Sequence, residues 1–475
     1  MPTDATADGA RHADPVALRA VLAAWEEACP ARRRALAFLR ARQTPIYLVG
    51  GTVRDALLGR KSSDVDLAVE GDALLLARQL ADVVHGAFVP LDESRNVARV
   101  VLRADLPTRT LDLAGLRASG IVRDLWARDF TVNALAVPLT PDGFGELMDP
   151  TGGREDLQAR RLRAIGPGSF QEDPLRVLRA PRFACALRLE IDPPTTAWAL
   201  EAVSGLRRVS GERIRDELLQ LLALGGVSHY LVAQPTRMAL SVALPELPSS
   251  FRYLAGAANT LQQLDTLADA ATSSAMGAPP LANAVDTCYM RHLRACWEEE
   301  IAGGRSRWHL LRLGVLLSET PDIPVPDIAR RLRLSVKEQR YLHNLLQAIA
   351  APLWTAMAEP DRLTIYRYLS VVREAGVDAA ILRLAMCFRP PPWGDPPAKP
   401  VIMRHTGRLL KGWFEEYDLL VDPPALLNGQ EIMECLETGP GPHIGHALES
   451  LREAQIRGLV STPAEARRFL RHLQR

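Results

Sequence analysis

No stretch of this chain approaches the roughly 20 consecutive apolar residues needed to cross a bilayer, so no membrane role is expected. The opening residues, MPTDATADGARHADP, lack the apolar segment of a signal peptide and read as a loose tail over 1–15. Cysteine is scarce and scattered. Cys29, Cys185, Cys288, Cys296, Cys387 and Cys435 include no CxxC pair, which leaves neither a zinc site nor a disulfide framework and suits a reducing cytoplasm. A strong charge of one sign is missing too. The formal net charge is only +1, so a nucleic-acid partner is not announced in bulk and has to be read from local clusters.

What the chain does have is 475 residues, 47% hydrophobic and 24% charged. That is a globular composition, too long for one ordinary core. Residues 16–43 repeat apolar positions at helical spacing, with Pro30 dividing two helices. Residues 44–140 mix short β-rich runs (Pro45–Gly51, Asp64–Val69, Phe88–Leu91, Val97–Leu102, Arg109–Leu113) with helical ones (Val53–Leu58, Leu74–Val84), an α+β pattern. From about residue 172 the strand signals fade into Leu-, Ala- and Arg-rich helical spacing broken by prolines. The Ala-, Ser-, Thr- and Pro-rich segment 245–285 reads as a linker or insertion.

The chemistry starts at Asp64-Val65-Asp66. On a strand, residues i and i+2 share a face, so both carboxylates project together while Val65 turns to the core. Two such carboxylates repel unless a cation lies between them, and hard oxygen ligands on a short rigid element suit Mg²⁺. Asp112, at the end of another strand, supplies a third acid and makes a two-metal site reasonable. Alone, a DxD pair is also a solvated strand edge. The preceding Gly50-Gly51-x-x-Arg54 shifts the balance. A strand ending in paired glycines and entering a helix offers backbone N–H groups to an anion, and Arg54 adds a charged donor.

Further on, Arg128-Asp129-Phe130-Thr131-Val132-Asn133 reads as a helix start with Asp129 or Thr131 as cap, itself a good anion site. In Glu172-Asp173-Pro-Leu-Arg176-Val-Leu-Arg179, helical spacing puts Asp173, Arg176 and Arg179 on one face. That is either a salt-bridged solvated face or a base reader. Cytosine and adenine both present an amine donor beside a ring-nitrogen acceptor. One Asp/Arg pair therefore selects them and rejects uracil and guanine without a template. Pro181 within this helical run is expected to disturb it near Arg182.

These motifs together resemble the class II tRNA nucleotidyltransferase and poly(A) polymerase family. The resemblance rests on Gly50-Gly51-x-x-Arg54-Asp55-x-Leu57-Leu58-Gly59 with Asp64-x-Asp66-Leu67, on Arg128–Leu135, on Asp149–Leu157 and on Glu172–Phe183. It implies a polymerase-β-like nucleotidyltransferase head, a mixed sheet with helices, followed by an all-α neck, body and tail. The implied layout is N-terminal helices 16–43, head 44–171, nucleotide-reading neck 172–245, body 246–400 and a tRNA-binding tail 401–475.

The family pattern gives Asp64, Asp66 and Asp112 the catalytic role, with Mg²⁺ held by Asp64 and Asp66. It implies nucleotide binding by Gly51, Arg54, Arg128, Asp129, Asn133, Asp173, Arg176, Arg179 and Arg182. Ser210–Leu218 resembles the neck helix, with Ser210 as its cap. Where relatives with a phosphohydrolase body carry His-Asp, this chain has Ser318-Glu319, so a degenerate body is expected. The turn Gly439–Gly445 resembles the bacterial tRNA-binding tail, opening a helix near residue 444.

The implied activity is template-independent transfer of CMP and AMP from CTP and ATP to the 3′ end of tRNA, in the cytoplasm. Addition of CC alone or A alone stays open, because the interval from Arg117 to Arg128 is short where the family carries a flexible loop linked to the switch from C to A. Poly(A) synthesis and non-catalytic RNA binding are the remaining alternatives. The oligomeric state is not legible.

Overall fold

The computed structural model describes residues 15–473 apart from 61, 63, 103–108, 249, 271–280, 282–283, 321–322 and 394–397. The expected tail therefore lies, except for Pro15, outside the described residues. The chain divides into two compact units, Met1–Arg208 and Val209–Arg475.

The first unit opens with helices α1 (Pro15–Glu27) and α2 (Pro30–Arg40), divided at Pro30 as the spacing predicts. A mixed sheet follows: β1 Ile46–Val49, β2 Asp64–Val69, β3 Ala87–Asp92, β4 Val97–Val101, β5 Thr110–Gly115, β6 Ala136–Thr140 and β7 Gly143–Phe144. Between strands lie α3 (Gly51–Leu57), α4 (Ala73–Val84) and α5 (Ile121–Trp126). The order across the sheet is β3-β4-β5-β2-β1-β6-β7. β2 and β5 run parallel, and the other neighbours are antiparallel.

Alternation along the strands decides which face is the core. Val65, Leu67, Ala98, Val100, Leu111 and Leu113 are all buried, and α4 packs over β4 and β5. The opposite face is left to Asp64, Asp66, Arg99 and Asp112.

Beyond the sheet come α6 (Gly153–Gln158), the short pair β8 (Arg161–Leu162) and β9 (Glu190–Ile191), α7 (Pro167–Glu172), α8 (Arg176–Leu187) and α9 (Pro193–Ala202). Asp149 caps α6 by accepting the N–H groups of Gly153 and Arg154 at 2.7 and 2.9 Å. A side chain at Gly153 would collide with the carbonyl of Thr131, so this turn packs directly under the Arg128–Asn133 segment. The unit boundary at Arg208 falls inside the span read as neck. The first part of that span, α8 and α9, packs with β8, β9 and α7 in the sheet-bearing unit.

The second unit is almost wholly helical, beginning with α10 (Gly211–Ala223). Ser210 occupies its cap position but makes no side-chain cap bond, which corrects the expected capping role. The segment read as a linker contains a 20-residue helix, Phe251–Ala270, whose Leu254, Leu261, Leu264 and Leu267 are buried; residues 271–280 lie outside the described residues. The helix packs against Val227–Leu231, Ala375–Cys387 and Arg307–Ser318. The centre of this unit holds a buried ion pair. Asp378 accepts from Arg307 Nη2 at 2.8 Å, Tyr341 Oη at 2.6 Å and Trp297 Nε1 at 3.0 Å. A small separate core of Leu427, Ile432, Ile444, Leu451 and Leu470 gathers the last three helices. Gly441 precedes the helix Pro442–Ile456, close to the expected start. No helix among the described residues is long and apolar enough to cross a membrane.

Candidate active site

β1 ends at Val49, and Gly50 takes φ +59° before α3 begins at Gly51. This left-handed conformation strains any residue with a Cβ. A Cβ on Gly51 would lie 3.0 Å from Asp66 Oδ2, so the second glycine lets the start of α3 close directly onto the acid. Thr52 fastens the two elements. Its buried Oγ1 accepts the backbone N–H of Asp66 at 2.7 Å. No periodicity marks Thr52 in the sequence, and its role was not foreseen.

Asp64 and Asp66 project from one face of β2, with Val65 buried between them, as the alternation predicts. In register beside them on β5 stand Thr110 and Asp112. Thr110 Oγ1 donates to Asp64 Oδ1 at 2.7 Å. Asp112 faces a second neighbour, Arg99 on β4. Arg99 Nε donates to Oδ1 at 2.7 Å and Nη2 to Oδ2 at 2.8 Å. Burial pushes the Asp66 carboxyl above its ordinary value, the charge of Asp112 adds to this, and Arg128 and Arg54 pull it back.

Among the described residues no three Asp, Glu, His or Cys side chains gather as a ligand set. Asp112 stands in register with Asp66 on the next strand, with both its oxygens accepting from Arg99. The donor set that does fit a divalent ion is Asp64 and Asp66. Mg²⁺ is commonly held by one or two carboxylates, with water and substrate phosphate completing its shell.

The other flank of β2 carries the cations. Arg54, on α3, donates from Nη1 to Asn133 Oδ1 at 2.6 Å and grips Asp55 at 2.9 and 3.1 Å. Arg128 donates to Asp124 Oδ2 at 3.0 Å, and its Nη1 lies 3.0 Å from where a Gly50 Cβ would be. The expected helix start at Arg128–Asn133 is instead a single 3₁₀ turn, Thr131–Asn133, running into β6, with no side-chain cap.

Asp129 serves a different purpose. Its Oδ1 accepts from Phe130 N–H at 2.8 Å and Asn133 Nδ2 at 3.1 Å, and its Oδ2 accepts Arg179 at 2.7 and 3.0 Å. Burial alone pushes this carboxyl up, but the charge and hydrogen bonds of Arg179, with Asn133 and Phe130, outweigh it and hold it at about 2. The chain Arg54–Asn133–Asp129–Arg179 therefore links α3, the 3₁₀ turn and α8. Phe183 lies beneath it, with the guanidiniums of Arg182, Arg179 and Arg54 at 4.3, 5.0 and 5.7 Å from its ring centre.

Asp173 does not share a helix with the arginines. It caps the end of α7 in an extended conformation, and Oδ1 accepts Leu175 N–H at 3.3 Å. Pro174 forces this break, since it disfavours helical backbone at the residue before it. Arg176 opens α8 and is buried. It donates to the Ser169 carbonyl at 3.0 Å, Ser169 Oγ at 2.7 Å and the Ala127 carbonyl at 3.2 Å. α8 runs through Pro181 without interruption, so Arg182 stays on the helix beside Phe183.

With this geometry in hand, residues 46–163 match the poly A polymerase head domain. The chain is 34% identical to the CC-adding tRNA nucleotidyltransferase of Geobacter sulfurreducens, over 89% of this chain and 91% of the relative. It is 31% identical to the A-adding tRNA nucleotidyltransferase of Deinococcus radiodurans, over 89% and 94%. The chain belongs to the class II tRNA nucleotidyltransferase family. Its fold agrees. A solved complex of a CCA-adding enzyme with CTP superposes with TM-score 0.66 at 22% identity, over 97% of this chain and 98% of that one. In the helical unit of this tRNA nucleotidyltransferase, Ser318 donates to the Val315 carbonyl at 3.0 Å, and the Glu319 carboxylate is taken by Arg389.

Proposed function

We propose that this chain transfers CMP and AMP from CTP and ATP to the 3′ end of tRNA, without a template and in the cytoplasm. The observation that carries this reading is the closure of the Gly50-Gly51 turn onto Asp66 beside Arg54 and Arg128. In this reading that turn is the triphosphate cradle, lying against the paired-acid strand. The names of the near-full-length relatives supply the tRNA substrate.

In this reading Asp64 and Asp66 hold Mg²⁺. The ion supplies charge neutralisation at the reacting phosphate and lowers the pKa of the attacking hydroxyl. Gly51, Arg54 and Arg128 hold the triphosphate so that the α-phosphorus faces the two acids. The RNA 3′-oxygen forms the new bond to that phosphorus, the bond to the bridging oxygen breaks, pyrophosphate leaves and the hydroxyl proton passes to solvent. Asn133 and Asp129 keep Arg54 and Arg179 in place around the nucleotide. Asp173 accepts from the exocyclic amine of C or A, and Arg176, anchored by Ser169 and Ala127, donates to the ring nitrogen. Arg179 and Arg182 contact the nucleotide or its phosphates.

A second reading, addition of CC alone or A alone, is favoured by one observation. Only Leu116–Gly120 joins β5 to α5, which leaves little room for a mobile loop at the edge of the site. Three tRNAs separate the readings: one lacking CCA, one ending in CC, and one complete, with CTP and ATP supplied separately. Extension of both incomplete tRNAs supports full CCA addition, and extension of only one supports a partial enzyme. Long A tails on unrelated RNA support a poly(A) polymerase, and no incorporation at all supports a binding protein.

A further inference from the structure

Arg99 is a cation of the site that the triphosphate side does not use. The sheet order puts β1 and β6, which carry the Gly50–Arg54 turn and follow Arg128, on one side of β2. β5 and then β4 lie on the other. With strands about 4.8 Å apart, Arg99 on β4 stands about 10 Å beyond β2, away from the cradle. In-line displacement needs the attacking oxygen and the departing pyrophosphate on opposite sides of the phosphorus. A triphosphate held over β1 and β6 therefore leaves the β5–β4 side for the acceptor RNA.

Arg99 is built for a phosphate on that side. Nε and Nη2 are fixed by both oxygens of Asp112, while no acceptor among the described residues meets Nη1. The side chain remains 40% exposed. A guanidinium held at two points offers its remaining donors in one plane, at little further cost in ordering.

We propose that Arg99 binds the backbone phosphate at the 3′ end of the acceptor RNA, with Asp112 as the strut that orients it. This rests on the proposed transferase reading, and the test keeps the two apart. Fluorescence anisotropy with a labelled tRNA lacking CCA, without divalent metal, compares wild type, Arg99→Lys and Arg99→Gln. Thermal melting checks that each variant is folded.

Arg99→Gln is expected to weaken RNA binding about fivefold or more and to reduce the salt slope by about 0.7, the loss of one single-strand phosphate contact. KM for CTP should stay within about twofold of wild type, since one lost phosphate contact on the RNA leaves nucleotide binding intact. Arg99→Lys, which keeps the charge but loses the fork, should fall between. Unchanged RNA affinity and salt slope with a lowered kcat would overturn the proposal and leave Arg99 acting only through Asp112. A raised KM for CTP with RNA affinity intact would overturn it too, placing Arg99 on the nucleotide side. If wild type binds tRNA but transfers nothing, the transferase reading fails while the binding comparison still decides Arg99.

Discussion

Arg179 and Asp129 meet where α8 joins the sheet, with both Nε and Nη2 of the arginine on a single oxygen, Oδ2, at 3.0 and 2.7 Å. The other oxygen is spent on Phe130 N–H and Asn133, so this buried acid ties Arg179 directly, and Arg54 through Asn133, to the turn beneath them.

That pairing sets an acid limit. Asp129 is held at about 2, below its ordinary 3.8. A depressed carboxyl stabilises the fold fully above its unfolded pKa, and the contribution is lost as pH falls toward the folded one. Asp129→Asn is expected to cost about 2 kcal/mol near pH 7. The difference from wild type should narrow between pH 4 and about pH 2. Urea unfolding at stepped pH measures it; a gap that widens on acidification contradicts the assignment.

Gly51→Ala tests the closeness of α3 to the acid. A Cβ would press on Asp66 Oδ2 at 3.0 Å, displacing a carboxylate while leaving a helix-compatible backbone. Transfer should fall by about tenfold or more, equivalent to one misplaced ligand interaction. The melting temperature should change little. Steady-state kinetics beside a thermal melt separates the two effects.

Removing the metal-holding acid is the direct test of the chemistry. Asp64→Ala should lower transfer by roughly a thousandfold or more, as loss of several kcal/mol of charge stabilisation implies. tRNA affinity should remain measurable by anisotropy. Retained transfer would refute the metal assignment.

Base selection is expected to respond at Asp173 and Arg176 in different ways. Asp173→Ala should raise incorporation of UTP and GTP relative to CTP by about tenfold, because the acceptor that clashes with their carbonyl is gone. Arg176→Ala should also destabilise the fold, by about 2 kcal/mol, since it removes a buried side chain that donates to Ser169 and to the Ala127 carbonyl. Competition assays with mixed nucleotides, read beside melting curves, distinguish selectivity from stability.

The buried pair of the helical unit should matter to folding and not to chemistry. Asp378→Ala removes the shared acceptor of Arg307, Tyr341 and Trp297 in the core, leaving Arg307 with Glu299 and the Glu374 carbonyl, and is expected to cost about 3–5 kcal/mol. The residual folded fraction at low temperature should keep wild-type nucleotide affinity, checked by titration after denaturant curves locate the folded range.

Much of the site was legible because its residues lie close together in the chain and obey a local period. Alternation along Asp64–Asp66 is enough to put two acids on one face, and Gly50-Gly51 before a helical run is enough to suggest a tight approach. Long-range pairing was not legible. Arg99 sits well away from Asp112 in sequence, and only the β4–β5 register makes them partners. The Arg128–Asn133 segment has the residues of a helix cap, yet β6 pairs with β1 directly after it, and sheet hydrogen bonds outweigh a local capping preference. Pro174 carried the signal that Asp173 leaves the helix, but helical spacing alone hid it.

By itself the sequence determined the residues behind the proposed chemistry: an acid pair on one strand face, arginines close by, and an Asp/Arg pair able to match the shared donor–acceptor edge of C and A. Tertiary structure alone decided how Asp112 is partnered. Strand register sets it beside Asp66 on one side and Arg99 on the other, and Arg99 donates to both of its oxygens. That Arg99 and the Gly50–Arg54 turn lie on opposite sides of β2 likewise follows only once the strands are ordered β4-β5-β2-β1-β6.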